Sequence, residues 1–534
     1  MKAGAHFAWL VLLEPERSAF LEAVRPRVSP EQFERIRGMT AAFPELLTLL
    51  EQSGMSLARL RKVAFGAPTE KTVTVCPPVD PAPQTEAQPP RQRKGHGRHG
   101  ARSYTGARRV PVSHPTLQPG DLCPDCGQGK LRRQPRPAPA IRVEAQPPVT
   151  ATVFEMEVLR CCLCGRTFTA PTPAEAGTQK YDPSVGVMVG QLRYGSGMPF
   201  YRLEQWQRSL GVPLAASTQW ELAEAVACVA QPAWDHLAWV AAQAPNVFND
   251  DTPMRVGDLR RQIRAETKPE RTGIFTTGII ARAQDHPIAL FFTGRQHAGE
   301  NLDQLLRHRS AQLPPPLQMG DGLSRNEPQE FKTLLGGCLA HGRRAFVEAT
   351  PNFPEECRHV LESLRAVYRF DAQAQADGLS SEARLHFHQT HSQPVMDELK
   401  TWLQNQINEK RVEPNSGLGQ AIGYLLGHWE PLTLFLRRPG APLDNNVCER
   451  ALKMAILHRK NSLSYKTQRG AQVGDLFMSL IHTCRLNRVN PFDYFMALVG
   501  QAKEVRAHPE QWLPWNYLNY LETQATVPPV TDTG

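Results

Sequence analysis

Three carboxylates stand where strand and helix signals would leave them at strand ends and on one helix face: Asp250, Asp321 and Glu449. Breaking and remaking a phosphodiester requires an activated nucleophilic oxygen and a stabilised leaving oxygen. Two divalent ions roughly 3.5–4 Å apart supply both. Hard ions such as Mg²⁺ or Mn²⁺ take carboxylate oxygens. Asp250 closes a β-like run in Phe248-Asn249-Asp250-Asp251-Thr252-Pro253, and Asp321 closes another in Gln318-Met319-Gly320-Asp321-Gly322. Glu449 lies in Asp444-Asn445-Asn446-Val447-Cys448-Glu449-Arg450. Any one of these acids alone is more often a cap or turn residue. Asp251 competes with Asp250, but successive strand residues face opposite sides, so one of the two points into a common site.

The elements around them follow a definite order. Asn246 to Asp250 reads as a strand, and Gly273–Ile280 and Ile288–Thr293 read as a β-hairpin. A helix around Asn301–Leu306, a strand at Leu317–Gly320, a helix at Pro328–Leu335 and a strand at Gly337–Ala340 come next. From Arg344 to Arg437 the pattern is almost entirely helical, and Asp444 opens the helix that carries Glu449. This α/β order is that of a ribonuclease-H-like core with a large helical insertion. In such a core, aspartates ending the first and fourth strands fall side by side. Upstream, residues 180–245 read as helical, with Ser217 or Thr218 as candidate caps of the last helix and Trp220 and Trp239 as core residues.

A second chemistry-bearing cluster precedes these elements. Cys123-Pro-Asp-Cys126-Gly and Cys161-Cys162-Leu-Cys164-Gly are CxxC knuckles, and two such turns supply zinc with four thiolates in pairs. Cys161 with Cys164 has the usual spacing, whereas Cys162 and Cys164 are too close. A closed four-cysteine site is structural and leaves no position open for catalysis. The competing reading is a redox pair or unrelated surface cysteines.

The chain has 534 residues, 41% hydrophobic, with a formal charge of +9. That length implies several domains, and the excess of Lys and Arg favours polyanionic partners. Five of the eleven cysteines crowd between Cys123 and Cys164, which suits a metal site in a reducing compartment. The early apolar run Phe7–Leu13 is too short to span a bilayer and lacks a cleavage site, so no membrane anchor and no signal peptide are expected. Residues 1–72 read as helical, with Leu46, Leu47, Leu49, Leu50, Leu57 and Leu60 at helical spacing. Residues 73–120 form a linker: Pro77, Pro78, Pro81, Pro83, Pro89 and Pro90 stiffen its first half. Its second half carries Arg91, Arg93, Lys94, Arg98, Arg102, Arg108 and Arg109, with no acid between Glu86 and Asp121. That half is either a solvated tail or an arm that tracks phosphates.

At this point the chain resembles the transposases of the insertion sequence 66 family. The resemblance runs through RLRKVAFGAPTEK (59–71), CPDCG with CCLCG, GMPFYRLEQWQRSLGVPLAASTQW (197–220), NDDTP, QMGDG and CLAHGRRAF (338–346). DNNVCERALKMAILHRKNSL (444–463) and SLIHTCRLNRVNPFDYF complete it. Two departures stand out: Leu323 replaces the family's usual tyrosine and Asp251 its usual glutamate. The resemblance implies a DDE-type transposase with Asp250, Asp321 and Glu449 as the catalytic acids on two Mg²⁺ or Mn²⁺ ions, and a structural Zn²⁺ on Cys123, Cys126, Cys161 and Cys164. The implied organisation is an N-terminal helical DNA-binding or oligomerisation region (1–72), the linker (73–120) and a zinc module (121–170). A helical region (180–245) follows, then the first part of the catalytic core (246–346). A helical insertion (347–442), the end of the core (443–500) and a C-terminal tail (501–534) complete the chain.

DNA at the element ends and at the target is the implied substrate. His341, Arg343 and Arg344 either contact DNA phosphate or serve structural ion pairs. Arg450, Lys453, Arg459 and Lys460 make the Glu449 helix basic, and Asp444 is a candidate cap. Bringing two DNA ends together implies a homo-oligomer in a cytoplasmic, nucleoid-associated setting, and the resemblance implies co-encoded accessory proteins. Two other readings share these features: a transposase-derived DNA-binding protein without chemistry, and a metal-dependent nuclease without joining activity.

Overall fold

Runs of β-branched and aromatic residues build the central sheet. Its strands are β3 (Asn246–Pro253), β4 (Phe275–Ala283), β5 (His286–Gly294), β6 (Leu317–Gly320) and β7 (Leu334–Gly337), after a small upstream hairpin of β1 (Val158–Arg160) and β2 (Thr167–Thr169). The computed structural model describes residues 21–34, 36–37, 72–75, 101–104, 107–135, 138, 140–143, 146–164 and 166–526. It comprises two units, Met1–Pro78 and Val79–Gly534. In the first unit a 3₁₀ turn covers Arg25–Arg27 and a single helical turn covers Thr72–Val75. The leucine pattern of residues 46–60, the prolines of residues 77–90, and Arg91, Arg93, Lys94 and Arg98 lie outside the described residues.

The five strands lie in the order β5-β4-β3-β6-β7. β3, β4 and β5 pair antiparallel, whereas β6 runs parallel to both β3 and β7. The parallel register aligns Phe248 with Met319. Asp250 and Asp321 each lie two residues further along, just past the last β3–β6 pair, with Asp250 still paired to Gly278 of β4 and Asp321 beyond the end of β6.

Helices cover the sheet and extend beyond it. α1 (Pro183–Gly190), α2 (Phe200–Ser209) and α3 (Ala216–Ala242) precede β3, α4 (Gly257–Ala265) follows it, and α5 (Ala298–Leu306) links β5 to β6. After β7 come α6 (Leu339–Ala349), α7 (Pro354–Ala376), α8 (Ser381–Asn408) and α9 (Gly417–Gly427). α10 (Asn446–Ser462), α11 (Gln468–Leu486) and α12 (Pro491–Gly500) then return to the sheet side. Among the described residues no helix is long and apolar enough to cross a membrane.

β5 is an edge strand, and exposed edge N–H groups are a liability. α11 closes this edge with side chains one turn apart. The N–H groups of Thr293, Phe291 and Ala289 donate to Asp475 (2.6 Å), Ser479 (3.0 Å) and Thr483 (3.0 Å).

Four local expectations are corrected. The strand expected at Gly337–Ala340 lies earlier, at Leu334–Gly337, because Cys338 is the N-cap of a helix that begins at Leu339. Ser217 and Thr218 lie inside the first turn of α3, whose N-cap is Ala215. The free Ala216 N–H is met instead by Glu204 of α2 at 3.2 Å. Trp239 is half exposed and stacks on His236. No helix forms at Pro328–Leu335, because Asp303 of α5 accepts the N–H groups of Gln329, Glu330 and Phe331 and holds the segment as a loop.

Candidate active site

Asp250 lies in the middle of β3, which runs on past the end expected from sequence to Pro253, because β4 pairs with it to its end. Asp321 is the residue after β6, and Glu449 lies in the first turn of α10. The charges of Asp321 and Glu449 both act on Asp250. Burial, above all, pushes the Asp250 carboxyl up to about 7; the N–H of Asp251 opposes the shift, and the Asp321, Asp251 and Glu449 charges add to it. The carboxylate oxygens of the three acids do not all lie within 4.8 Å of one another, but their like charges act on one another, which is unfavourable until a cation joins them.

Asp251 faces the other way. Its side chain is 2% exposed and accepts from Thr277 Oγ1, His297 Nδ1 and the N–H of Ala298 at the start of α5. Its lone pairs are used in capping that helix, which leaves Asp250 as the member of the pair facing Asp321 and Glu449.

The approach of α10 depends on Gly278, which pairs with Asp250 across β3 and β4. A Cβ there would lie 3.0 Å from Leu452 Cδ2 and 3.4 Å from Cys448 Sγ, and Cys448 Sγ donates to the Gly278 carbonyl at 3.2 Å. The missing side chain lets the helix carrying Glu449 rest on β4. Gly278→Val is expected to displace α10 and to lower activity more than about tenfold, with a further stability loss of ~1–3 kcal/mol from overpacking. Parallel melting and activity measurements check this; wild-type behaviour in both would show that α10 has room to spare.

A buried amide network supports Asp321. Asn326 Nδ2 donates to Asp321 Oδ1 at 3.0 Å, and the N–H of Leu323 reaches the same oxygen at 3.1 Å. The Asn326 carbonyl in turn accepts from Asn249 Nδ2 (2.7 Å) and Gln318 Nε2 (2.8 Å). Gly322, at φ +80°, lets the chain reverse immediately after Asp321. Asn445 Nδ2 ties the start of α10 to the Asn249 carbonyl at 3.0 Å. Asn326→Ala leaves Asp321 Oδ1 held by the Leu323 N–H alone, and it is expected to raise the Mg²⁺ concentration for half-maximal activity about tenfold, as for other groups that orient metal ligands. An unchanged Mg²⁺ dependence would remove this role.

α6 contributes the other flank. His341 Nε2 lies 3.7 Å from Glu449 Oε1, and Arg344 reaches Glu449 Oε2 at 3.9 Å. Asp444 accepts the N–H of Asn446 at 3.0 Å, as a residue preceding a helix start can. On α10, Arg450, Lys453 and Lys460 are exposed, whereas Arg459 is drawn onto Thr252 Oγ1 and the Pro253 carbonyl, and so braces α10 against β3. Arg102 and Arg108 are exposed, and Arg109 donates to the carbonyls of Ala101 and Tyr104.

Each cysteine knuckle is formed. The Gly127 N–H bonds to the Cys123 carbonyl, and the second knuckle is the turn between β1 and β2. The N–H groups of Gln128 and Gly129, then the Cys123 side chain, lower the Cys126 thiol. The N–H groups of Cys164 and Leu163, then the Cys164 side chain, lower that of Cys161. Such N–H donors suit thiolate ligands, and Cys161 rather than Cys162 faces Cys164. The two knuckles are not gathered into one coordination sphere. Among the described residues, the group of three or more His, Cys, Asp or Glu side chains with ligand atoms within 4.8 Å of one another is Cys338, His341 and Glu449.

The model of the Transposase IS66 family matches residues 180–473. The chain belongs to the IS66 transposase family. The matched span takes in all five strands of the sheet together with α6 and α10, and it begins after the cysteine module. The transposase is similar to the uncharacterized protein y4jD of Sinorhizobium fredii, at 26% identity over 86% of this chain and 93% of that protein. It is also similar to the uncharacterized protein y4hP of the same organism, at 28% identity over 43% of this chain and 44% of that protein.

The amide network was not anticipated from sequence. Its signal was Gln318 between Leu317 and Met319, and Asn249 directly after Val247 and Phe248.

Proposed function

We propose that this IS66-family transposase cuts DNA at the ends of an insertion sequence and joins the freed 3′-hydroxyl to target DNA, with Asp250, Asp321 and Glu449 as its catalytic acids. The observation that carries this reading is the shared charge environment of the three acids. The strand order and polarities support a ribonuclease-H-like core. The donor set is all oxygen, and Glu449 Oε1 is buried without a hydrogen-bond partner, which fits a hard divalent cation. Asp250, Asp321 and Glu449 would hold two Mg²⁺ or Mn²⁺ ions, which supply activation of the attacking oxygen and stabilisation of the leaving one.

The chain's own groups do the rest. Gly278 sets the approach of Glu449, and Asn326 fixes the orientation of Asp321. His341 and Arg344 flank Glu449 and face the scissile phosphate, and Arg343 of the same helix meets DNA phosphate. Arg450, Lys453 and Lys460 form an exposed basic stripe along α10 that meets the DNA backbone, and Arg102, Arg108 and the linker arginines extend the contact. Cys123 with Cys126 and Cys161 with Cys164 would hold one structural Zn²⁺ once the two knuckles, which stand apart in this structure, are brought together, and two copies of the chain bring the two ends together.

Crystals grown with Mn²⁺ and a DNA end test the reading. Anomalous scattering is expected between Asp250, Asp321 and Glu449. Bound Mn²⁺ located elsewhere, with these three carboxylates bare, would overturn it.

A further inference from the structure

Cys338, His341 and Glu449 bring a thiol, an imidazole and a carboxylate together in one place. Cys338 ends the segment after β7, His341 lies in the first turn of α6, and Glu449 lies in the first turn of α10. Leu339 N–H to Leu443 O (3.0 Å) and Asn445 N–H to Cys338 Sγ (3.3 Å) lash the two helix starts together. His341 Nε2 and Glu449 Oε1, 3.7 Å apart, are too far for a hydrogen bond. In a tetrahedral zinc site, nitrogen and oxygen ligands lie about 3.4 Å apart. His341 Nδ1 and Glu449 Oε1 are both buried atoms without a hydrogen-bond partner.

We propose that Cys338, His341 and Glu449 form a three-ligand site for a borderline transition ion such as Zn²⁺, and that its occupation withdraws Glu449 from the Mg²⁺ set and inhibits cutting. The inhibitory half rests on the proposed function; the binding half does not. Thiolate and imidazole ligands select Zn²⁺ over Mg²⁺. Three protein ligands leave a fourth position for water. The half-exposed His341 and Glu449 side chains, each 28% accessible, give the ion an entrance. Cys338 is fully buried, and burial pushes its thiol up to about 11. Binding therefore releases that proton to solvent as the ion takes its place. Arg344, 3.9 Å from the other Glu449 oxygen, is the cation the ion must compete with.

Co²⁺ is the probe, because thiolate ligation gives it a strong near-ultraviolet band. The full-length chain, Cys338→Ser and His341→Gln are loaded with Co²⁺ in excess Mg²⁺. Both variants are expected to bind one ion fewer than the wild type, with the charge-transfer band reduced in Cys338→Ser. The Zn²⁺ concentration that halves cutting, relative to each protein's own Zn²⁺-free rate, is expected to rise about tenfold or more in Cys338→Ser. Equal Co²⁺ content in all three proteins overturns the site. Lost Co²⁺ without any shift in Zn²⁺ inhibition overturns the competition. Should Cys338→Ser fail to fold, His341→Gln, a change at a partly exposed side chain, decides alone by its Co²⁺ content and by the Zn²⁺ concentration that halves its own cutting rate. Asp250→Asn touches none of these three ligands. Undiminished cutting with unchanged Co²⁺ content in that variant would fell the proposed function and leave this site standing.

Discussion

Asp250→Asn is expected to lower strand cleavage about a thousandfold, equivalent to ~4 kcal/mol of transition-state stabilisation, while DNA binding stays close to wild type. The amide keeps the shape and volume of the carboxyl and removes the charge. Asp250 meets the field of Asp321 and Glu449, so removing its charge weakens the hold on any cation bound among the three. Asp321→Asn and Glu449→Gln are expected to behave alike. Asp251→Asn supplies the internal contrast. Its carboxylate caps α5 and bonds Thr277 and His297, so its loss is expected to lower stability by ~1–2 kcal/mol, with a smaller effect on cutting than the loss of Asp250. Cleavage and strand-transfer assays on DNA carrying the element ends, run beside a binding assay, measure all four. Wild-type cutting by Asp250→Asn, or a larger loss of cutting in Asp251→Asn, would reverse the assignment of the pair.

Much of the sheet was legible because its cues are local. β4 and β5 are rich in β-branched and aromatic residues, and β6 ends where Gly320 meets Asp321. The direction of β6, parallel to β3, follows from the helical crossover out of β5, whereas its place beside β3 depends on the whole sheet. What stayed hidden depends on partners remote in sequence. Asp303 holding residues 329–331 defeats a local helix signal by accepting three of their N–H groups at its carboxylate. Glu204 displaces Ser217 and Thr218 as the acceptor at the start of α3 because α2 packs alongside. The basic residues of α10 look alike in sequence, yet Arg459 turns inward to β3 while Arg450, Lys453 and Lys460 face outward. The Asp250–Asp251 ambiguity resolves for the same reason: strand alternation says that the two differ, and only the position of α5 says which one is consumed by capping.

Asp475→Asn is expected to flatten the pH dependence of stability. Asp475 is 5% exposed beneath β5, and burial pushes its carboxyl up to about 7 against the N–H and hydroxyl of Thr293. An unfolded aspartate titrates near 3.9. The folded chain therefore binds this proton more tightly than the unfolded chain does. The resulting contribution is fully present below about pH 4 and is lost as pH rises through about 7. The protonated form has a ready acceptor. Thr293 Oγ1 lies 2.7 Å from Asp475 Oδ1 and 2.7 Å from Thr276 Oγ1, so the hydroxyl can pass its own hydrogen to Thr276. Between pH 5 and pH 8 the wild type is expected to lose about 2–3 kcal/mol more stability than Asp475→Asn, since the amide does not titrate. Subtracting the variant cancels every other titrating group, Asp250 included. Urea unfolding of both proteins across that range is the measurement, and parallel pH profiles would mean that Asp475 stays ionised beneath β5, held by Thr293 alone.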